Sequence, residues 1–295
     1  MKTIYLHIGC EKTGTTSIQH FLASNRQALK AQGIAYPYLG LNTTAHLNLA
    51  ASINSVQNKS QGVDYYPNKN VSVEKEWAQL KHFYNETDCQ TIILSAEHFS
   101  SRLKKSGIHM LKTQLDQLGD NLKVKVLVYI RRQDWFIESS YSTAVKAGST
   151  SVFEDFFNAN LLATNRYDFD LLLTQWSNVF SPNNIIVADY DEVVATQSLL
   201  EHFCNVVEVD KHRLKPLDKI ENKAWPPKML EFARLSNVSQ LKEQLGPQRL
   251  AFFSYINNMI LKEKSEKSCL MTPQQRQQVL NKYQESNEIV QEKYF

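Results

Sequence analysis

Hydrophobic residues in this chain gather in two alternating patterns. Short, nearly continuous apolar runs occur at Thr3–Ile8, Thr91–Ser95, Val124–Ile130 and Ile185–Ala188. Each is rich in β-branched and aromatic residues and has the length of a buried strand. A shorter run, Ile34-Ala35-Tyr36, stops at Pro37 and predicts a brief strand. Between these runs the apolar residues recur with a helical period. Ile18, Phe21, Leu22 and Leu29 predict a first helix stopped by Gly33, and Trp77, Leu80 and Phe83 mark a helix over 74–85. Further helices are predicted over 42–52, 107–118, 134–146, 152–163 and 167–180, and after Asp189-Tyr190-Asp191 to about Cys204. Beyond that point only helical patterns remain: one over 227–236, one from Pro247 to about Lys262, and a last one. The last opens at Thr272-Pro273-x-Gln275, the signature of a capping box with proline at the first helical position. Strands alternating with helices predict an α/β fold with a mostly parallel sheet covered on both faces. The α/β core spans about 1–204 and a helical C-terminal part about 205–295, in a single domain over 1–295. The polar stretch 54–75, rich in Asn, Ser, Gln and Lys, predicts a surface loop or lid. The Lys262–Lys267 charge run reads as a solvated linker.

The first strand leads directly into the most informative stretch, Gly9-Cys10-Glu11-Lys12-Thr13-Gly14-Thr15-Thr16-Ser17. A strand, a glycine-bounded turn and a polar helix start bring free backbone N–H groups and the positive end of a helix dipole to one point. That arrangement predicts a phosphate or sulfate site in a P-loop-like three-layer fold. The Gly-x4-Gly spacing of the nucleoside triphosphate loop is present, but Thr15 follows Gly14 where that loop has lysine, and the lysine of this loop is Lys12. A Cys-x5-Arg phosphatase loop is excluded, because six positions after Cys10 stands Thr16. Glu97 and Arg131 each follow the carboxyl end of a predicted strand, so in a parallel sheet both converge on the crevice that the loop faces. His98 stands next to Glu97 as a second titratable group.

Composition narrows the setting. A hydrophobic fraction of 42% is that of a globular chain, and no apolar run approaches a membrane span. Net charge of +3 is too mild to point to nucleic acid, while leaving room for a local basic pocket. Cys10, Cys89, Cys204 and Cys269 are widely spaced and predict reduced thiols. With no charged n-region and apolar h-region at the start, a cytoplasmic location is expected. The eight histidines lack metal-ligand spacing, so no metal is expected.

The order Lys12-Thr13-Gly14-Thr15-Thr16 resembles the 5′-phosphosulfate loop of sulfotransferases that use 3′-phosphoadenosine 5′-phosphosulfate (PAPS). A second segment, Arg131-Arg132-Gln133-Asp134-Trp135-Phe136-Ile137-Glu138-Ser139, is similar to the strand end and helix with which that family holds the 3′-phosphate, with arginine and serine eight residues apart. Tyr167 through Trp176, Asp189-Tyr190-Asp191, Asn222 through Pro226, and Glu285 to Phe295 extend the resemblance toward bacterial sulfotransferase-like proteins of the carbohydrate-type branch. Two departures stand out. Glu11 occupies a position where many members have proline, and the Arg-Lys-Gly segment that cytosolic animal members carry near the C-terminus is missing.

The resemblance implies sulfuryl transfer from PAPS to a hydroxyl, or alternatively an amine, of a saccharide or glycolipid acceptor. The product would be 3′,5′-adenosine bisphosphate, with no metal required. It implies that Lys12 neutralises the departing phosphate, that Thr13, Gly14, Thr15, Thr16 and Ser17 hold the 5′-phosphate, and that Arg131 and Ser139 hold the 3′-phosphate. Glu97 is the expected base, as in the carbohydrate-acting branch, and His98 the alternative. Two other classes share the loop: a small-molecule kinase, and a non-catalytic nucleotide-binding module that needs neither Glu97 nor His98.

Overall fold

The computed structural model describes residues 1–40, 44–60, 63, 71–162, 166–217, 225–239, 244–260 and 270–295. The chain divides into two compact units. The first comprises Met1–Arg131, Phe169–Ile220 and Ser286–Phe295; the second comprises Arg132–Asp168 and Glu221–Glu285.

The first unit is built on five parallel strands: β1 (Lys2–His7), β2 (Ile34–Ala35), β3 (Thr91–Ser95), β4 (Leu122–Ile130) and β5 (Ile185–Asp189). Their order is β2-β3-β1-β4-β5. Strands laid down after β1 fill one side of it as β2 and β3, then the other as β4 and β5, so the order reverses beside β1. That is the topological switch point at which open parallel sheets bind ligands. The register sets His7 beside Ser95 and Leu127, and Ile130 beside Asp189. The fold class read from the alternating periods is the one observed, and no strand follows β5 among the described residues.

Helices cover both faces of the sheet. On one, Ile18, Phe21 and Leu22 of α1 (Thr15–Ser24) and Leu29 of α2 (Arg26–Lys30) pack with Tyr5, Tyr129 and Phe203 in one buried cluster. The single first helix expected from the period is two, because Asn25 interrupts it. Its side-chain amide donates to the Phe21 carbonyl at 2.9 Å and the Lys215 carbonyl at 3.0 Å, and its oxygen accepts from the Lys215 N–H at 2.8 Å. The other side carries α3 (Leu47–Gln57), α4 (Val73–Glu86), α5 (His98–Arg102) and α6 (Lys105–Asp116), with Leu49, Trp77, Leu80, Leu111 and Leu115 buried. The helix expected over 42–52 starts later, at Leu47 directly after His46, and runs on to Gln57. Residues 54–57 of the expected polar loop are therefore helical, Val71 is buried, and 61–62 and 64–70 lie outside the described residues.

In the second unit, α7 (Gln133–Ala147) and α8 (Phe153–Leu162) form as the period predicted. In the first unit, α9 (Phe169–Phe180) does the same, burying Leu173 and Trp176. The helix expected after Asp191, to about Cys204, starts earlier and is again two, α10 (Tyr190–Thr196) and α11 (Leu199–Val206). Asp189 starts α10 by accepting from the N–H groups of Asp191 at 2.8 Å and Glu192 at 3.1 Å, an N-cap. The second unit also holds α12 (Pro227–Val238), α13 (Arg249–Ile260) and α14 (Pro273–Lys282), whose capping box between Thr272 and Gln275 is formed. Tyr141, Val145, Trp225, Met229, Leu230 and Phe253 make its core. Asp134 and Glu138 of α7 are both bonded by Arg276 of α14. The last predicted helix breaks at Tyr283, and α15 (Gln284–Tyr294) follows. Cys269 and the Lys262–Lys267 run lie outside the described residues. Among those residues no helix is long and apolar enough to cross a membrane.

Candidate functional site

β1 delivers its last residues to a loop bent by three left-handed positions: Gly9 (φ 50°), Lys12 (φ 70°) and Gly14 (φ 75°). Both glycines answer a positive φ, and Gly9 a tight approach as well. A Cβ on Gly9 would lie 2.7 Å from Thr15 Oγ1, and one on Gly14 would lie 2.3 Å from Leu199 Cδ2, besides the strain of a positive φ. Lys12 bears that strain with a full side chain, at a cost of about 1–2 kcal/mol. The loop is braced from inside. Thr13 Oγ1 donates to the Cys10 carbonyl at 2.7 Å, and Thr15 Oγ1 to the same carbonyl at 3.4 Å. From outside, the Ser100 hydroxyl on α5 donates to the Gly9 carbonyl. Gly14 occupies the N-cap of α1 with no side-chain cap, so the N–H groups of the first turn are left for an anion. Thr13 and Thr15 are buried with their hydroxyls turned into the loop, Thr16 is exposed and Ser17 is half-buried. The Cys10 thiol is buried and its pKa is pushed up to about 12, first by burial and then by Glu11, which makes it a filler rather than a nucleophile.

Arg131, one residue past β4, meets this loop. Its Nη1 donates to the Lys12 carbonyl at 3.3 Å, and its Nε donates to Asp191 Oδ1 at 3.3 Å. The guanidinium also lies over the Tyr190 ring, 5.3 Å from its centroid. The structure thus brings together Lys12 and Arg131, two residues 119 positions apart that the sequence offers as separate anchors. Ser139 is half-buried on α7 in the second unit.

Glu97 and His98 follow β3. Glu97 begins α5, and its Cα lies 3.4 Å from where a Gly9 Cβ would stand, so its backbone adjoins the loop. Burial raises the Glu97 pKa, Glu11 raises it further, and Lys12 and Arg102 pull it back. Burial, then Arg102, lowers His98 to about 4, against an upward pull from Glu11. The same environment therefore moves the two groups in opposite senses. At neutral pH it leaves Glu97 the stronger proton acceptor.

His7 and His46 belong to a buried network centred on Ser95. The Ser95 N–H donates to His46 Nδ1 at 2.9 Å, which leaves Nε2–H to donate to the Pro37 carbonyl at 3.0 Å. Burial lowers His46 to about 4, so it stays neutral and packs. His7 Nδ1 is 2.8 Å from Ser95 Oγ, and Gln19 of α1 donates to the same hydroxyl at 3.1 Å. Among the described residues no group of three or more His, Cys, Asp or Glu could hold a metal ion.

Sequence reasoning missed Ser100 and gave Asp191 no role. Ser100 has no local signal, because its bond to Gly9 joins residues 91 apart. Asp191 had one: Asp-x-Asp at a strand end, where the first aspartate caps the next helix and frees the second for a neighbour.

No family model matches the chain. A protein from Archaeoglobus fulgidus described as uncharacterized is 27% identical over 180 residues, which is 59% of this chain and 47% of that protein. This chain thus spans about half the length of that relative. Among solved structures, it is similar to a sulfotransferase from Alicyclobacillus acidocaldarius, with a TM-score of 0.47, 12% identity, and coverage of 83% of this chain and 95% of that one. It is also similar to the sulfotransferase domain from the curacin biosynthetic pathway, with a TM-score of 0.38, 12% identity, and coverage of 96% and 97%.

Proposed function

We propose that this chain is a cytoplasmic PAPS-dependent sulfotransferase acting on a hydroxyl, or alternatively an amine, of a saccharide or glycolipid. One observation carries the reading: the loop's lysine, Lys12, sits inside the turn in a left-handed conformation with its carbonyl bonded by Arg131. That placement suits a lysine facing the bridge between a 5′-phosphate and its sulfuryl group, rather than one reaching along a triphosphate tail. The first-turn N–H groups of α1 suit the 5′-phosphate itself. Arg131, through the part of its fork not engaged by Lys12 and Asp191, suits the 3′-phosphate. Ser139 is assigned to that phosphate on its sequence spacing.

In this mechanism the acceptor oxygen attacks sulfur in line. The bond between sulfur and the bridging oxygen breaks, and the electron pair stays on the 5′-phosphate. Lys12 and the α1 N-terminus stabilise that charge, while Glu97 takes the acceptor proton. Glu97 must be ionised to act, so turnover rises with pH through its raised pKa. Glu97→Gln is expected to abolish that acidic limb and lower turnover by about a hundred- to ten-thousandfold. A pH–rate profile with its acidic limb intact in Glu97→Gln would move the role to His98.

The reading is tested by calorimetric titration of wild type with 3′,5′-adenosine bisphosphate and with ADP, each with and without magnesium. Tight, metal-independent binding that favours the bisphosphate supports it. Equal or magnesium-dependent preference for ADP replaces it with a kinase. Tight bisphosphate binding with PAPS left intact in the presence of candidate acceptors replaces it with a nucleotide-binding module.

A further inference from the structure

Asp189-Tyr190-Asp191 ends β5 beside β4, and the proposed mechanism gives none of the three a role. The β4–β5 register sets Asp189 beside Ile130, which brings the start of α10 to Arg131. Asp189 is consumed as the cap of α10, accepting from the backbone of Asp191 and Glu192. That cap turns the chain so that the next two side chains face Arg131 from two directions. Tyr190 lies under the guanidinium, its ring centroid 5.3 Å from Cζ, and Asp191 Oδ1 receives Nε at 3.3 Å. The third contact on Arg131 is the Lys12 carbonyl at 3.3 Å. Nε and Nη1 are thereby engaged, and Nη2 makes no hydrogen bond among the described residues. The corner also touches the loop itself, since Tyr190 Cε2 would lie 3.5 Å from a Cβ on Gly14.

We infer that Asp191, with Tyr190, is a positioning residue of the nucleotide site: it fixes the Arg131 guanidinium so that one edge holds the Lys12 carbonyl and Nη2 is presented to a phosphate. The inference rests on the proposed reading of the loop. A surface ion pair would contribute little on its own, and this one is partly shielded, with side-chain exposures of 21% and 30%. Its geometry is the reason for assigning it a role. A long arginine loses several rotatable bonds when it binds an anion, and a partner that has already ordered it removes part of that cost. A single bond through Nε orients the fork without occupying its far end. Because Arg131 also holds the left-handed Lys12, the same aspartate acts on both ends of the nucleotide.

The test is a double-mutant cycle read by calorimetry with 3′,5′-adenosine bisphosphate and, separately, with AMP, which lacks the 3′-phosphate. Asp191→Asn keeps the size and an acceptor oxygen but removes the charge. It is expected to weaken bisphosphate binding about three- to tenfold, with a smaller loss for AMP. In an Arg131→Ala background the same substitution is expected to change affinity less than about twofold, because its effect passes through Arg131. Asp191→Glu should restore part of the loss. A merely structural aspartate would lower thermal stability in both backgrounds without this dependence on Arg131. Additive losses, or binding by Asp191→Asn equal to wild type, would overturn the inference while leaving the nucleotide site standing. Failure of wild type to bind the bisphosphate would instead remove the reading beneath it, and the inference with it. If Asp191→Asn does not fold, Tyr190→Leu, which removes the ring under the guanidinium, carries the same expectation.

Discussion

On the proposed reading, Lys12→Ala is expected to lower the rate at which PAPS is converted to 3′,5′-adenosine bisphosphate by about a hundred- to a thousandfold, the cost of removing one preorganised group from developing charge. The ammonium is expected to matter most when the bond to sulfur is breaking, since the departing phosphate then gains charge that the ground state lacks. Binding of the bisphosphate should therefore fall much less than the rate. Alanine in place of lysine leaves the loop's left-handed turn at position 12, so the variant keeps the cradle and loses the cation. Single-turnover assays of PAPS consumption, without and with a saccharide acceptor, would measure it. A rate within a few-fold of wild type would show that Lys12 only shapes the turn, and would return the loop to the non-catalytic reading.

Arg131→Ala is expected to weaken 3′,5′-adenosine bisphosphate binding about ten- to a hundredfold, since a charge-assisted contact to phosphate is worth about 1.5–3 kcal/mol. The structure adds a second component. Arg131 donates to the Lys12 carbonyl, so its removal also releases the residue that bears the loop's backbone strain. The loss should therefore extend to AMP, more weakly, and PAPS turnover should fall along with affinity. Titrating the variant with both nucleotides separates the components. A loss confined to the bisphosphate would assign Arg131 to direct contact alone. Equal losses for both nucleotides would assign it to the loop alone and void the 3′-phosphate role. Unchanged affinity for both would remove Arg131 from the site.

The pH dependence of the proposed reaction follows from one contrast. Burial disfavours charge on Glu97 and on His98 alike, yet for the acid this raises the pKa and for the imidazole it lowers it. The neighbouring Glu11, which stands where the resembling family often has proline, pushes both upward. The departure at position 11 therefore changes the charge around the candidate base.

The sequence by itself determined the parts whose causes are local. The five apolar runs became five strands, and most helical periods became helices near their predicted limits, while three were split and the helix over 42–52 formed as Leu47–Gln57. Gly9 and Gly14 announced a tight turn because closely spaced glycines are a local signal, whereas the left-handed conformation of Lys12 between them carried none. The Thr272–Gln275 capping box was legible for the same reason. Tertiary structure decided what depends on residues far apart. Asn25 splits the first helix because the Lys215 backbone, 190 residues away, offers its amide partners that a helix interior would not. His46 is a neutral strut because Pro37 and Ser95 take both ring nitrogens. Arg131 reaches Lys12, and Asp191 reaches Arg131, only because β4 lies between β1 and β5 in one parallel register. Spacing along the chain nominates the candidate residues. Which of them touch is fixed by strand order, which no single segment of the chain specifies.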